Sequence, residues 1–92
     1  IRDMEERLRE VVRHIGPTAV GKATGMDRSR WNTVANDTRT KTRVEDLSRL
    51  LQAFPEYELY IIRGEIDPSR GQISPAYDHA DLKLEGQNAG SN

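Results

Sequence analysis

Residues 17–36, Pro-Thr-Ala-Val-Gly-Lys-Ala-Thr-Gly-Met-Asp-Arg-Ser-Arg-Trp-Asn-Thr-Val-Ala-Asn, have the pattern of a short helix, a glycine turn and a second helix. Gly25 stands where a tight turn between two helices requires a backbone conformation that costs other residues energy. Val20 and Met26 face inward on either side of it, and Trp31 and Val34, three residues apart, face inward from the second helix. The stretch therefore predicts a helix-turn-helix unit.

The polar residues of the second helix fall between these apolar ones, on the face that a core does not use: Arg28, Ser29, Asn32 and Thr33. Side chains on that face of a recognition helix can reach base edges in the major groove of DNA. Trp31 has two interpretations, a base-stacking aromatic or a core residue, and its place one turn before Val34 on the inward face favours the core. We expect the polar face to bind DNA.

This spacing resembles the helix-turn-helix of the Cro and phage-repressor family, also called the XRE family. The resemblance is carried by residues at fixed distances from Gly25: Gly21, Trp31, Val34 and Asn36. It continues through a loop at 39–43, a fourth helix at 44–54 and a fifth helix at 55–64, and so covers roughly residues 4–65. The chain has Gly21 where Ala is commoner in the family, and Asp37-Thr38 in place of the usual Gly after the recognition helix.

The resemblance implies an all-α fold, a compact five-helix bundle formed by residues 1–65. It implies that the Arg28–Asn36 helix enters the major groove while the Pro17–Thr24 helix crosses the backbone of double-stranded DNA. A homodimer, or a higher homo-oligomer, would meet two half-sites of a palindromic operator about 34 Å apart. We expect a transcriptional regulator that represses by occupying a promoter.

Charge is distributed unevenly, although the net charge is only −1. Residues 17–43 contain six basic side chains against two acidic ones, whereas residues 65–92 contain two basic against five acidic. Such asymmetry is expected of a protein that presents one face to phosphate. Arg30, Arg39, Lys41 and Arg43 are predicted to contact phosphate rather than bases. The full set of candidate DNA-binding residues is Lys22, Arg28, Ser29, Arg30, Asn32, Thr33, Asn36, Arg39, Lys41 and Arg43.

Helical periodicity also predicts the flanking elements. The first helix runs from about Asp3 to His14 and is stopped by Gly16, and His14 is expected to hydrogen-bond the last carbonyls of this helix. A strand at residues 59–62 is possible from residue type, but the bracketing Pro and Gly favour a last helix at residues 56–63. That helix has more apolar surface than one core stripe needs, so we expect a dimer interface that includes Tyr57, Tyr60 and Ile61. A folded part of about 60 residues is marginal in stability, and a partner subunit would help it.

Residues 66–92 are predicted to form a C-terminal tail, partly disordered or involved in subunit contacts, with mobility at least from Glu85 onward. The tail supports a second hypothesis for function. The chain would then be an antitoxin or adaptor that uses the same fold to bind a protein partner, with the acidic tail wrapped around that partner.

Composition excludes several other classes. The absence of Cys removes disulfides, zinc fingers and thiol catalysis. No apolar run approaches a membrane span, and the acidic N-terminal stretch argues against a signal peptide, so we expect a cytoplasmic protein. Residues 16–22 match the start of a phosphate-binding P-loop, but Ala23 replaces the required Ser or Thr. His14 and His79 lack neighbours at metal-ligand spacing, so we expect no enzyme, no metal and no cofactor.

Overall fold

Helices make up most of the chain. The computed structural model describes residues 4–37 and 39–80. Their order is α1 (Met4–Ile15), α2 (Pro17–Thr24), α3 (Arg28–Asn36), α4 (Val44–Ala53) and α5 (Glu58–Arg63). Turns of 3₁₀-helix occur at Pro55–Tyr57 and Pro68–Arg70, and residues 75–80 are again helical. Within these described ranges no strand forms beyond an isolated bridge between Asp67 and Gln72, so the predicted all-α fold is confirmed.

The last predicted helix differs in detail from the one observed. Its first turn, Pro55–Tyr57, is a 3₁₀-helix, and the α-helix begins only at Glu58. Pro55 lacks an N–H, which suits the first position of such a turn. Gly64, with φ of 71°, ends α5 where the bracketing glycine was expected to end it.

The core forms where the inward faces of the five helices meet. Trp31 has no exposed surface, and its indole N–H donates to the Thr24 hydroxyl at 2.9 Å. The core role predicted for Trp31 is confirmed. The other buried apolar residues come from every helix: Leu8, Val11, Val12, Val20, Val34, Ala35, Leu50, Tyr57 and Ile61.

Helices α2 and α3 are joined by a three-residue turn. Gly25 adopts a left-handed conformation with φ of 71°, and its N–H donates to the carbonyl of Gly21 at 3.0 Å. Asp27 then caps α3, because its carboxylate accepts the N–H of Ser29 at 3.1 Å. A methyl group at Gly21 would lie 3.1 Å from the carbonyl oxygen of Met26. A residue without a side chain at position 21 therefore lets the two helices approach closely.

Three arginines cap the C-terminal ends of helices other than their own. Arg49 of α4 donates to the last carbonyl of α2 at 3.3 Å, and Arg13 of α1 donates to the last turn of α3 at 3.3 Å. Arg7 of α1 donates to two carbonyls in the last turn of α5, at 3.0 and 3.2 Å. These carbonyls have no partner within their helix and carry partial negative charge, so cations there are stabilising.

The chain after α5 packs back onto the helices. The Gln72 amide accepts the N–H of Leu59 at 2.9 Å and donates to the carbonyl of Pro55 at 3.0 Å. The N–H of Ile73 donates to the carbonyl of Glu56 at 2.9 Å, and Ser74 is buried. The mobility predicted from Glu85 onward concerns residues outside those that the structure describes.

Asp78 connects this segment to α1. Its carboxylate accepts the Tyr57 hydroxyl at 3.3 Å and lies 2.6 Å from Nε2 of His14. Burial, and then the charge of Asp78, raise the pKa of the Tyr57 hydroxyl, so Tyr57 stays protonated. The sequence interpretation of His14 as a cap for its own helix was wrong, because the imidazole is directed to Asp78 instead.

Candidate nucleic-acid interface

The outward face of α3 is a continuous polar surface. Trp31, Val34 and Ala35 turn inward, and the residues on the opposite side are exposed: Arg28, Ser29, Asn32, Thr33 and Asn36. Beside this face, Pro17 and Thr18 at the start of α2 form a shallow polar depression with Arg28, Ser29 and Asn32. The structure thus brings together the polar residues that the sequence placed on one face.

Arg28 opens α3 with a guanidinium group directed to solvent. The side chain is exposed, and its guanidinium makes no hydrogen bond or ion pair with any residue in the described ranges. A cation in the first turn of a helix is disfavoured by the positive end of the helix dipole. Its donors are therefore available to an external acceptor. Lys22 and Lys41 are likewise exposed, and their ammonium groups have no ion-pair partner among the described residues.

The remaining polar side chains of α3 are held by hydrogen bonds along the helix. The Thr33 hydroxyl donates to the carbonyl of Ser29 at 2.9 Å. The Asn36 amide donates to the backbone carbonyl of Asn32 at 3.0 Å and to its side-chain oxygen at 2.9 Å. The Asn32 oxygen is thereby used within the helix, and its NH₂ group remains as an outward donor. Side chains ordered in advance lose less entropy when they bind a ligand.

Arg30 behaves differently from its neighbours because it turns toward α4. Its Nε donates to Asp46 Oδ1 at 3.3 Å, and Nη2 donates to the other carboxylate oxygen. Nη2 also lies 3.4 Å from the carbonyl oxygen of Lys41. The side chain is only 21% exposed. Arg30 was predicted to contact phosphate, but the structure engages its guanidinium in an ion pair with a fully buried carboxylate.

Asp46 is the buried partner that sequence reasoning missed. Burial alone would raise the pKa of its carboxyl, but hydrogen bonds from Arg30 and from the Arg43 N–H at 2.9 Å outweigh burial and hold this pKa below its ordinary value. The hydrogen bond between Arg30 and the Asp46 carboxylate also raises the pKa of Arg30. Sequence periodicity could not reveal the pair, because its members lie 16 residues apart on different helices.

The loop between α3 and α4 carries the other predicted phosphate ligands. Arg39, Lys41 and Arg43 are exposed. Arg39 also forms an ion pair with Asp37 at 3.3 Å, and Arg43 forms one with Asp46 at 3.7 Å. The Arg39 N–H and side chain hydrogen-bond the carboxylate of Asp37, which lowers its pKa. The loop that follows α3 therefore exposes three basic side chains.

Two side chains of helix α1 hydrogen-bond the backbone of this loop. Arg9 donates to the carbonyl of Thr40 at 3.2 Å, and Glu5 accepts the N–H of Thr42 at 3.0 Å. Neither contact could be anticipated from the sequence, because Arg9 and Glu5 lie 31 and 37 residues before the loop residues that they bond. Their side chains hold the backbone of the basic loop in place.

Two of the three residues predicted to form a dimer interface are buried in the core of the monomer. Tyr57 is 4% exposed and Ile61 has no exposed surface, while the Tyr60 hydroxyl donates to Glu10. The exposed apolar residues of this region are Ile62 and Ile66, which are 41% and 42% exposed. A second copy could reach these two residues, but not Tyr57 or Ile61.

The described residues lack two further features. None of their helices has the length and apolar character that crossing a membrane requires. Nor do residues 4–37 and 39–80 contain a cluster of three or more potential metal-binding side chains.

Comparison with known proteins shows similarity to a solved structure. No protein-family model matches the chain, and no curated protein matches it. Among solved structures, the chain is similar to Pf6r from the filamentous phage Pf6 of Pseudomonas aeruginosa PA01. The two are 29% identical, with a TM-score of 0.70 over 83% of this chain and 99% of Pf6r. The chain therefore shares its fold, and part of its sequence, with a phage protein.

Proposed function

We propose that this protein is a sequence-specific DNA-binding regulator of transcription, a repressor, in which α3 enters the major groove. The observation that carries the proposal is the exposed polar face of α3, where Arg28 extends to solvent without a partner in the described ranges. The resemblance to the phage-repressor family and the similarity to a phage protein support it. Residues 4–65 would form the DNA-binding domain.

Two kinds of contact follow from this arrangement. Arg28 and the Asn32 amide would donate to acceptors on base edges, with Ser29, Thr33 and Asn36 beside them. The basic side chains that flank α3 would contact phosphates and fix the orientation of the helix: Lys22, Arg39, Lys41 and Arg43.

Arg30 has a positioning role in this proposal. Its guanidinium already binds Asp46 and the carbonyl of Lys41, and Asp46 in turn holds the N–H of Arg43. The pair therefore connects α3 to the end of the basic loop. Arg30 would influence DNA binding by setting the place of Lys41 and Arg43 relative to α3.

Two copies would bind one operator. A helix of this length reads only a few base pairs, and a dimer that meets two half-sites about 34 Å apart doubles the sequence read. Binding by two linked copies also raises affinity without any new type of contact. The operator would accordingly be a palindrome.

Selection of bound fragments from random double-stranded DNA tests the proposal. The unmodified chain should enrich one palindromic sequence, and Arg28→Ala should lose preference at one base pair per half-site, a loss of about 1–3 kcal/mol. Arg70→Ala, which also removes an exposed arginine, is the matched control and should keep the full preference. Failure of the unmodified chain to enrich any sequence would contradict the proposal.

A further inference from the structure

Two asparagine side chains on the outward face of α3 are joined by hydrogen bonds. Nδ2 of Asn36 donates to the backbone carbonyl of Asn32 at 3.0 Å and to Oδ1 of the Asn32 side chain at 2.9 Å. Both side chains are exposed, and the NH₂ group of Asn32 makes no hydrogen bond with another residue in the described ranges. The end of the Asn32 amide that points away from Asn36 is therefore its NH₂ group.

The chemistry of the three groups fixes this orientation. A backbone carbonyl can only accept, so the Asn36 atom beside it must be the NH₂ nitrogen. That nitrogen can only donate, so the Asn32 atom that faces it must be the side-chain oxygen. Turning the Asn36 amide over would bring two acceptors together, and turning the Asn32 amide over would bring two donors together. Asn36 therefore determines which end of the Asn32 amide faces outward.

The orientation of this amide decides which base it fits. In the major groove guanine presents two acceptors, N7 and O6, whereas adenine presents the acceptor N7 beside the donor N6–H₂. An asparagine that uses both its oxygen and its NH₂ group binds adenine with two hydrogen bonds. An asparagine that presents only its NH₂ group leaves the adenine donor without a partner, which costs free energy in a desolvated interface. The outward donor of Asn32 therefore fits guanine better than adenine.

We propose that Asn32 binds guanine in the operator, and that Asn36 is the positioning residue that excludes adenine. The inference rests on the proposed function and names the bases that α3 selects. Arg28 lies one turn earlier on the same face, and its guanidinium is also a donor without an acceptor. The two residues are about 6 Å apart along the helix axis, and successive base pairs are about 3.4 Å apart. Each half-site then contains two guanines within about two base pairs of each other.

Selection from random double-stranded DNA with Asn32→Ala identifies the base pair that Asn32 contacts, because preference at that pair should be lost. Competition between operators that differ only at this pair then measures the ratio of affinities for guanine and adenine. The unmodified chain should bind the guanine operator about tenfold more tightly, a difference typical of matched and mismatched side-chain contacts.

Variants of Asn36 test the positioning role. Asn36→Ala allows the Asn32 amide to turn and to make both hydrogen bonds to adenine, so the ratio should fall about tenfold, to near one. In Asn36→Asp the carboxylate accepts from the Asn32 NH₂ group and turns the Asn32 oxygen outward. That variant should prefer a base with an amino group, adenine or cytosine, over guanine. A merely structural Asn36 would weaken binding to every operator equally and leave the ratio unchanged.

A matched control and the choice of readout separate base selection from folding. Gln52→Ala removes an exposed amide from α4 and should leave the ratio at its unmodified value. Because both operators compete for the same sample, a partly unfolded variant gives the same ratio as a fully folded one.

The outcomes distinguish this inference from the proposed function. A selected operator with adenine at the Asn32 pair, no loss of preference in Asn32→Ala, or an unchanged ratio in either Asn36 variant overturns the inference and leaves DNA binding by α3 standing. An unmodified chain that enriches no sequence overturns the proposed function, and this inference with it.

Discussion

Asp46 is a charged side chain with no exposed surface, which a folded chain tolerates only when the charge is paired. Arg30 bonds both of its oxygens, and the N–H of Arg43 adds a third hydrogen bond. Removing one partner of a buried pair costs about 3–5 kcal/mol when the other charge is left unpaired, and here Arg43 Nε, 3.7 Å from the same carboxylate, is a second cation beside Asp46. This carboxylate is consequently important both for stability and for the geometry of the basic loop.

Stability should decline at acid pH through this residue. The pKa of Asp46 is lower in the folded chain than in the unfolded chain, so its contribution is complete above the ordinary carboxyl pKa of about 4. It is lost as the pH falls toward the lower folded-state value, because the unfolded chain then binds the proton more readily. Urea unfolding at a series of pH values measures the decline. Asp46→Asn should flatten it, and an unchanged slope would show that other carboxyls are responsible.

A double-mutant cycle tests the positioning role of Arg30. If Arg30 acts through Asp46, then Arg30→Met and Asp46→Asn should weaken operator binding by overlapping amounts, and the double variant should be little weaker than either single variant. Direct contact with phosphate would instead make the effects additive and would lower the salt dependence of binding by about one unit. Arg28→Met is the matched control, and its effect should add to that of Asp46→Asn.

Helices α2 and α3 form the element that carries the proposed function, and Trp31 holds them together. Trp31 belongs to α3, and its indole packs in the core of the bundle and donates to Thr24, the last residue of α2. Gly21 allows the start of α3 to lie close to α2. The outward face of α3 is therefore positioned by contacts on its inward face.

Truncation of Trp31 should act through the fold and not through DNA contact. Trp31→Ala should lower the free energy of unfolding by about 3–5 kcal/mol, whereas Trp31→Phe, which keeps most of the apolar volume, should cost less. Chemical denaturation gives both values. DNA affinity measured on the fraction that remains folded should be nearly unchanged for Trp31→Phe. A variant with unchanged stability and lost DNA binding would place Trp31 at the DNA.

The boundaries and faces of the helices were predictable from the sequence where neighbouring residues determine them. Gly16 and Pro17 mark the junction of α1 and α2, and Gly25 marks the turn, so these boundaries follow from backbone chemistry within a few residues. The outward face of α3 follows from helical periodicity in the same way. The Arg30–Asp46 pair and the burial of Ile61 depend on which distant elements meet. On a helix as short as α5, apolar content alone does not tell which side faces the core.

At the scale of the whole molecule, the segment after α5 packs back against α1 and against the turn of 3₁₀-helix that precedes α5. Gln72 and Ile73 bond the backbone near Tyr57, and Asp78 reaches both Tyr57 and His14. The polar composition of this segment suggested a tail. Composition does not reveal the hydrogen bonds that hold the segment against the helices. Its described part contributes to the fold of the chain.

Asp78→Ala should therefore destabilise the molecule. The substitution leaves the hydroxyl of the buried Tyr57 and the imidazole of His14 without their shared acceptor, at a cost of about 1–3 kcal/mol. His79→Ala, at the exposed neighbouring position, should have little effect on the melting temperature. Equal melting temperatures for the two variants would show that the contact with α1 contributes nothing to stability.

The arginines that cap α2, α3 and α5 from other helices have a consequence for how the chain opens. A helix end that is held by its own residues can fray while the rest of the protein stays folded. Here each of the three ends is also bonded to an arginine of another helix, Arg49, Arg13 or Arg7. Amide protons in these last turns should then exchange with solvent through large cooperative openings rather than by local fraying, at rates close to those of the core.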